Sequence, residues 1–219
     1  MSEYEILEIS KKLVDALCYL HERGVAHRDI KPENIVLDSA KNPVLIDFGL
    51  CTEQRSCLSS TICGTLFYLP PEQLINEEYD AMKADIWSLG ITIFVLATRR
   101  YPFSQSNPGV ILEEVEHIDM IMKSTLSPNM YELLSNMLAI DPRQRKTAKE
   151  LYVILEKFLH KLFIPISKTR PNGLKYKRIT PQISGEVVTK DDYFAVRITK
   201  PQIRHCTSLL RTKLAIKVF

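Results

Sequence analysis

From Lys83 to Thr98 the chain is apolar nearly all round. Ile86, Trp87, Leu89, Ile91, Ile93, Phe94, Val95 and Leu96 leave no continuous polar face. A helix of that kind is stable when other elements surround it. The chain is therefore expected to be mainly α-helical, with this helix in the centre of its core. The longest apolar stretch, Ile91 to Ala97, is too short to span a bilayer, so no transmembrane segment is expected.

The flanking sequence supplies what such a core needs. Ile6, Ile9, Leu13, Val14, Leu17, Cys18 and Leu20 recur at helical spacing, which predicts a helix over about 4–22 that stops near Gly24. Ser127-Pro128 reads as an N-cap followed by proline at the first helical position. Thr147-Ala148-Lys149-Glu150 reads as a capping box that opens a helix to about Leu162. Ile35-Val36-Leu37 and Val44-Leu45-Ile46, separated by the polar turn 38–43, predict a small hairpin that sets Asn34 beside Asp47. Residues 25–34 are expected to be a loop. Residues 51–71 show no strong period and read as a mobile segment.

The 219 residues, 45% hydrophobic and 25% charged, suit one soluble globular domain with an appendage. The net charge of +3 is unevenly placed. Residues 1–166 carry 17 Lys and Arg against 23 Asp and Glu, whereas 167–219 carry 12 against 3, a net of +9. A shift of that size marks a boundary, drawn here as a domain over 1–163 and a basic tail over 164–219. The tail holds a near-repeat, Arg178-Ile179-Thr180 and Arg197-Ile198-Thr199, and a candidate hairpin over 187–198. Its charge suits acidic partners, nucleic acid or an anionic membrane surface. The five cysteines, at 18, 51, 57, 63 and 206, have neither disulfide-framework nor zinc-ligand spacing. With an acidic N-terminus that has no signal-peptide core, they point to reduced thiols in the cytoplasm or nucleus.

The chemistry concentrates in His27-Arg28-Asp29-Ile30-Lys31-Pro32-Glu33-Asn34 and in Asp47-Phe48-Gly49, with 18 positions from Asp29 to Asp47. Asp29 is a carboxylate able to orient or accept a hydroxyl proton. Lys31 places an ammonium two residues on. Asn34 and Asp47 offer the hard oxygens that magnesium prefers. A base, a cation and two metal ligands are the parts phosphoryl transfer requires.

Together these stretches resemble the catalytic loop (27–34) and the metal-binding triplet of eukaryotic protein kinases. Further matches follow in order. Gly64 to Glu72 looks like the end of the activation segment (47–72), with Pro70-Pro71-Glu72 where Ala-Pro-Glu is usual. Asp85-Ile86-Trp87-Ser88-Leu89-Gly90 resembles the start of the family's central helix, and Asp141 to Arg145 the segment whose arginine pairs with Glu72. The resemblance covers about 4–163 and implies the family's large lobe. It implies that Asp29 and Lys31 are catalytic. Lys31, Asn34, Val36 and Asp47 would contact ATP, Val36 as the floor under the adenine. Asn34 and Asp47 would hold Mg, and Asp85 would accept backbone N–H bonds from the catalytic loop. Lys31 with Thr65 is the serine/threonine-type combination, implying a protein substrate with a Ser or Thr acceptor. Arg28 beside Asp29 implies control by phosphorylation, with Ser56, Ser59, Ser60 and Thr61 as candidate acceptors and Thr61 favoured. Residues 63–72 are similar to Aurora-type kinases; Asp47-Phe48-Gly49-Leu50 and Ala26-His27 look more like calmodulin-dependent and checkpoint-type kinases.

One departure is large. The family's small lobe supplies a Gly-x-Gly-x-x-Gly loop, a phosphate-binding lysine and its glutamate. Here His27 lies near the start, and none of the seven glycines (24, 49, 64, 90, 109, 173, 185) forms Gly-x-Gly. Three readings follow: a Ser/Thr kinase chain truncated before its large lobe, with negligible transfer as it stands; a single-lobe pseudokinase acting as a binding module; and a tail that binds an acidic surface. The surface that faces the small lobe would then be exposed, which marks either a partner site or a truncation.

Overall fold

The computed structural model describes residues 1–53, 58–59, 63–75 and 78–163. Along the chain run α1 (Glu3–His21), β1 (Val25–Ala26), β2 (Ile35–Leu37), β3 (Pro43–Leu45), β4 (Thr52–Glu53), β5 (Leu58–Ser59), α2 (Pro71–Leu74), β6 (Tyr79–Asp80), α3 (Ala81–Thr98), α4 (Pro108–Val115), α5 (Ile118–Thr125), α6 (Pro128–Ser135) and α7 (Ala148–Phe163). The expected mainly helical fold is the one observed. The basic tail and its candidate hairpin lie outside the described residues, as does Thr61.

α3 runs through the centre. Twelve of its residues are buried, from Ala81 through Phe94. By length and composition it could cross a membrane, but 67% of it is covered by the rest of the protein, which marks it as a core helix. Its start was not foreseen at residue 81: the Asp80 carboxylate accepts from the Met82 and Lys83 N–H groups and caps it. α1 lies alongside and packs most extensively on α7. Leu7, Leu13, Val14 and Leu17 of α1, with Leu151, Leu155 and Phe158 of α7, are all at most 2% exposed. Burying each such side chain stabilises by roughly 1.5–3 kcal/mol. The Lys11–Glu156 (3.1 Å) and Lys149–Glu22 (2.9 Å) pairs only edge this seam, because exposed pairs contribute about 0–1 kcal/mol.

Several elements begin where side chains satisfy orphan N–H groups. Ser2 and Glu5 form a capping box on α1 that the apolar period did not reveal. Ser127 caps α6 by accepting from Met130 N–H, and Thr147 and Glu150 bond reciprocally at α7. α4 starts at Asn107-Pro108, a signal of the same kind as Ser127-Pro128.

Among the described residues, three two-stranded antiparallel ladders complete the fold. The hairpin pairs Ile35 with Leu45 and Leu37 with Pro43, so β3 begins one residue earlier than expected. The loop expected over 25–34 is a correction: Val25 and Ala26 pair with Glu53 and Thr52, and Pro32–Asn34 form a 3₁₀ turn. The segment 51–71 likewise contains structure. β5 pairs with β6, and Leu66–Tyr68 is a second 3₁₀ turn.

Candidate active site

Asp85, in the first turns of α3, organises the loop that carries Asp29. Its side chain is fully buried. Oδ2 accepts the His27 backbone N–H at 2.8 Å and lies 3.0 Å from His21 Nε2, while Oδ1 accepts the Arg28 backbone N–H at 2.8 Å. These bonds fall where the chain is strained. Arg28 has φ +67°, a left-handed conformation that costs a non-glycine residue roughly 1–2 kcal/mol. Charge-assisted bonds from two successive N–H groups offset that cost.

His27 is buried and ties the loop to the strand end before Asp47. Asp29 N–H donates to Nδ1 at 3.3 Å, which leaves Nε2–H to donate to the Ile46 carbonyl at 3.0 Å. Its ring meets that of Phe48 at 4.8 Å between centroids, tilted by 59°. Ile46 N–H in turn donates to the Asn34 carbonyl at 2.9 Å. The hairpin thus brings Asn34 beside the 46–47 corner.

The Asp29 carboxylate is the hub of the site. Oδ1 accepts from the Thr65 hydroxyl at 3.0 Å; Oδ2 accepts from Asn34 Nδ2 at 2.9 Å and lies 2.8 Å from Lys31 Nζ. Lys31 Nζ also donates to Thr65 Oγ1 at 2.7 Å. Burial works to raise the Asp29 pKa, but the bonds from Lys31 and Thr65, the Lys31 charge and the Asn34 amide outweigh it and hold the carboxyl below its ordinary value. Asp29 is therefore ionised near neutrality, and Lys31 is poised over the atoms it serves.

Asn34 is buried, and its amide nitrogen is committed to the Asp29 carbonyl and carboxylate. Its Oδ1 is thereby turned away from Asp29, the only atom of the amide that can serve a cation. Asp47 is exposed, at φ +61°, with Oδ1 accepting from Gly49 N–H at 3.2 Å. Two such oxygens on neighbouring strand ends fit magnesium, which takes one or two protein ligands plus waters and phosphate oxygens. Among the described residues no group of three or more His, Cys, Asp or Glu could hold a metal by itself. Val36 is 43% exposed, as are Leu37 (51%) and Leu50 (39%) nearby in the sequence. The Arg28 guanidinium donates to the Leu50 carbonyl at 2.9 Å and also reaches the Cys63 thiol, whose pKa burial raises.

The segment bearing Thr65 passes close to the catalytic loop because of Gly64. At φ +107°, an added Cβ would lie 2.8 Å from the Arg28 carbonyl oxygen, so glycine alone fits. Beyond it, Ser88 of α3 donates to the Tyr68 carbonyl at 2.7 Å. Glu72 accepts both terminal nitrogens of Arg145, at 2.6 and 2.8 Å. Arg145 uses all five N–H groups, the others on the Ala139, Ile140 and Lys83 carbonyls, and its guanidinium lies 4.8 Å from the Trp87 ring centre.

Of the site residues named from the sequence, the structure gathers Asp29, Lys31 and Asn34 into one cluster, sets Asp47 at its edge and Val36 on the exposed hairpin. Asp85 and the Glu72–Arg145 pair brace it from α3 and the 139–145 segment. Sequence reasoning missed the His21–Asp85 contact and the tilted ring contact of His27 with Phe48, which join residues far apart in the chain and carry no local signal.

Residues 1–154 match the protein kinase domain family. The chain belongs to the protein kinase family. It is 36% identical over 154 residues to maternal embryonic leucine zipper kinase of Xenopus laevis, covering 69% of this chain and 24% of that protein. It is 40% identical over 140 residues to an Aurora kinase of Dictyostelium discoideum, with 64% and 36% covered. CBL-interacting protein kinase 21 of Oryza sativa subsp. japonica is 36% identical over 149 residues, with 66% and 28% covered. The chain thus spans about a quarter to a third of the length of these relatives. The similarity to Aurora-type kinases expected from residues 63–72 is present. Domains of this family in general use ATP and magnesium.

Proposed function

We propose that this kinase domain transfers the γ-phosphate of ATP to Ser or Thr hydroxyls of protein substrates. The observation that carries the reading is the Asp29 cluster: an ionised carboxylate with Thr65 on Oδ1, Asn34 and Lys31 on Oδ2, and Lys31 also bonded to Thr65. Asp29 accepts and orients the attacking hydroxyl. Lys31 stabilises charge on the phosphoryl oxygens. Thr65 bridges the two and favours a Ser or Thr acceptor over Tyr. Asn34 Oδ1 and Asp47 would hold magnesium, which neutralises phosphate charge when bound. Val36 supplies apolar floor for the base, and the exposed Val36, Leu37 and Leu50 form a surface for the body that covers it. Arg28 near Cys63 suits control by a phosphate on the activation segment, with Thr61 as the acceptor. The basic tail serves acidic partners, and the setting is cytosol or nucleus, where the thiols stay reduced.

The test is phosphate transfer to a Ser/Thr peptide by the natural protein that carries this chain, compared with its Asp29→Asn variant. Loss of at least about a hundredfold in kcat with little change in KM is expected. Transfer unchanged by Asp29→Asn would overturn the assignment. Absence of transfer in the wild type, with peptide binding intact, would favour the reading as a binding module.

A further inference from the structure

The turn that ends α3 carries two arginines that the site has not used. Arg99 and Arg100 are both exposed, and neither guanidinium has a hydrogen bond or ion pair among the described residues. The turn itself is well defined. Arg99 N–H donates to the Val95 carbonyl at 2.8 Å, and Arg100 N–H donates to Thr98 Oγ1 at 3.2 Å. Arg99 adopts φ +59°, the left-handed C-cap conformation in which glycine or asparagine is the less costly residue. Of the other non-glycine residues at positive φ, Arg28 and Asp47 belong to the active site and Lys41 to the hairpin turn. Strain of this kind is a pointer to function rather than a proof of it.

Tyr101 anchors the turn to the site. Its ring stacks on Phe67 at 4.5 Å with 17° between planes and meets Tyr68 edge-on at 5.9 Å. The Tyr68 hydroxyl donates to the Tyr101 hydroxyl at 3.2 Å. Phe67 and Tyr68 lie two and three residues after Thr65, the residue bonded to Asp29 and Lys31. The two arginines therefore directly precede a tyrosine whose ring packs on the segment that carries Thr65. Tyr101 is 42% exposed and forms a shelf beside them. Thr92 of α3 lies 3.5 Å from the Ile30 carbonyl, next to Asp29. Arg99 follows about 10 Å further along the helix at roughly 1.5 Å per residue, a span an extended peptide covers in about three residues at roughly 3.3–3.6 Å each.

The acidic neighbours do not cancel the pair. Glu114 is occupied by Ser104 N–H at 2.8 Å. Glu33 lies close enough to push the Tyr68 hydroxyl pKa upward, after burial and Tyr101, but it is one charge against two. Lys31 is already balanced by Asp29.

We propose that Arg99 and Arg100 select the substrate, favouring Ser/Thr peptides that carry an anionic side chain a few residues from the acceptor. This rests on the kinase reading and names its substrate class. The anion is a carboxylate or a phosphate already present on the substrate.

The test is peptide binding to the full chain without ATP, read by fluorescence anisotropy. One Ser-containing peptide is prepared with Glu, phosphoserine, Gln or Lys at the flanking positions. The Glu or phosphoserine peptide is expected to bind about tenfold tighter than the Gln peptide, with the advantage shrinking as salt rises. A phosphoserine advantage over Glu assigns the anion as phosphate; parity assigns it as carboxylate. R99E/R100E is expected to abolish the preference. Arg99→Gly with Arg100→Gln, which suits the left-handed turn, is a second variant expected to do the same with the fold intact. Equal binding of the Glu, phosphoserine and Gln peptides overturns the proposal. So does a preference that survives both variants, which would assign it to the basic tail. Because no ATP is present, the result stands apart from phosphate transfer: transfer without anion preference sinks this inference alone.

Discussion

Asp29 shows how a single residue is tuned by its contacts. Burial alone would raise its pKa, yet bonds from Lys31 and Thr65 keep it low. Since the folded value is depressed, the ionised group contributes stability at pH above the ordinary carboxylate range. That contribution is lost as pH falls through the lowered value. Thr65→Val removes one donor, so the Asp29 titration should move to higher pH, read by carboxyl carbon NMR. An unchanged midpoint would show that Thr65 does not tune the carboxylate. Asp29, Lys31, Asn34 and Asp47 were legible because their spacing and residue types already imply the chemistry. The role of Thr65 as donor to Asp29, 36 positions away, was legible only as a family match. That of His21 on Asp85, 64 positions away, was not legible, because nothing local in either segment requires the contact.

At the scale of elements, caps decide where helices begin and burial decides that they exist. Glu150 is pushed down to about 2 by the Thr147 backbone N–H and hydroxyl, against a modest opposing effect of burial. The box therefore stabilises α7 above the ordinary Glu range and loses that contribution as pH falls towards about 2. Thr147→Ala should cost about 1 kcal/mol in urea melts at neutral pH and should flatten this acid dependence. Leu155→Ala, at a fully buried position, should cost about 2–5 kcal/mol with no such pH signature. A larger loss from the cap than from Leu155 would reverse this ranking. α1 was legible from its period, α3 from its nearly continuous apolar character, and α6 and α7 from their caps. α5, at eight residues, offers barely two turns of period, and the ladders β1–β4 and β5–β6 are two residues long. Such short pairings are set by what the neighbouring loops bring together.

Across the whole molecule, the Glu72–Arg145 pair joins the end of the activation segment to the segment before α7. The arginine side chain is fully buried and the carboxylate 8% exposed. Arg145→Ala should cost roughly 3–5 kcal/mol because it strands Glu72 in the interior. Arg143→Ala, two residues away, breaks a pair whose arginine is 89% exposed and should cost at most about 1 kcal/mol. Chemical denaturation of both variants measures the contrast; equal losses would mean that burial does not govern the pair. The sequence by itself determined the family, the helical class, the central place of α3 and the residue types the chemistry needs, because periodicity, caps and motif spacing are local properties. Only the tertiary structure decided that His21 meets Asp85, that the Thr65 hydroxyl bonds Asp29, and that Arg99 and Arg100 are exposed, their guanidinium groups without a partner among the described residues. Those facts depend on which buried groups find partners and which charges are left facing water, and that is settled when the chain packs around α3.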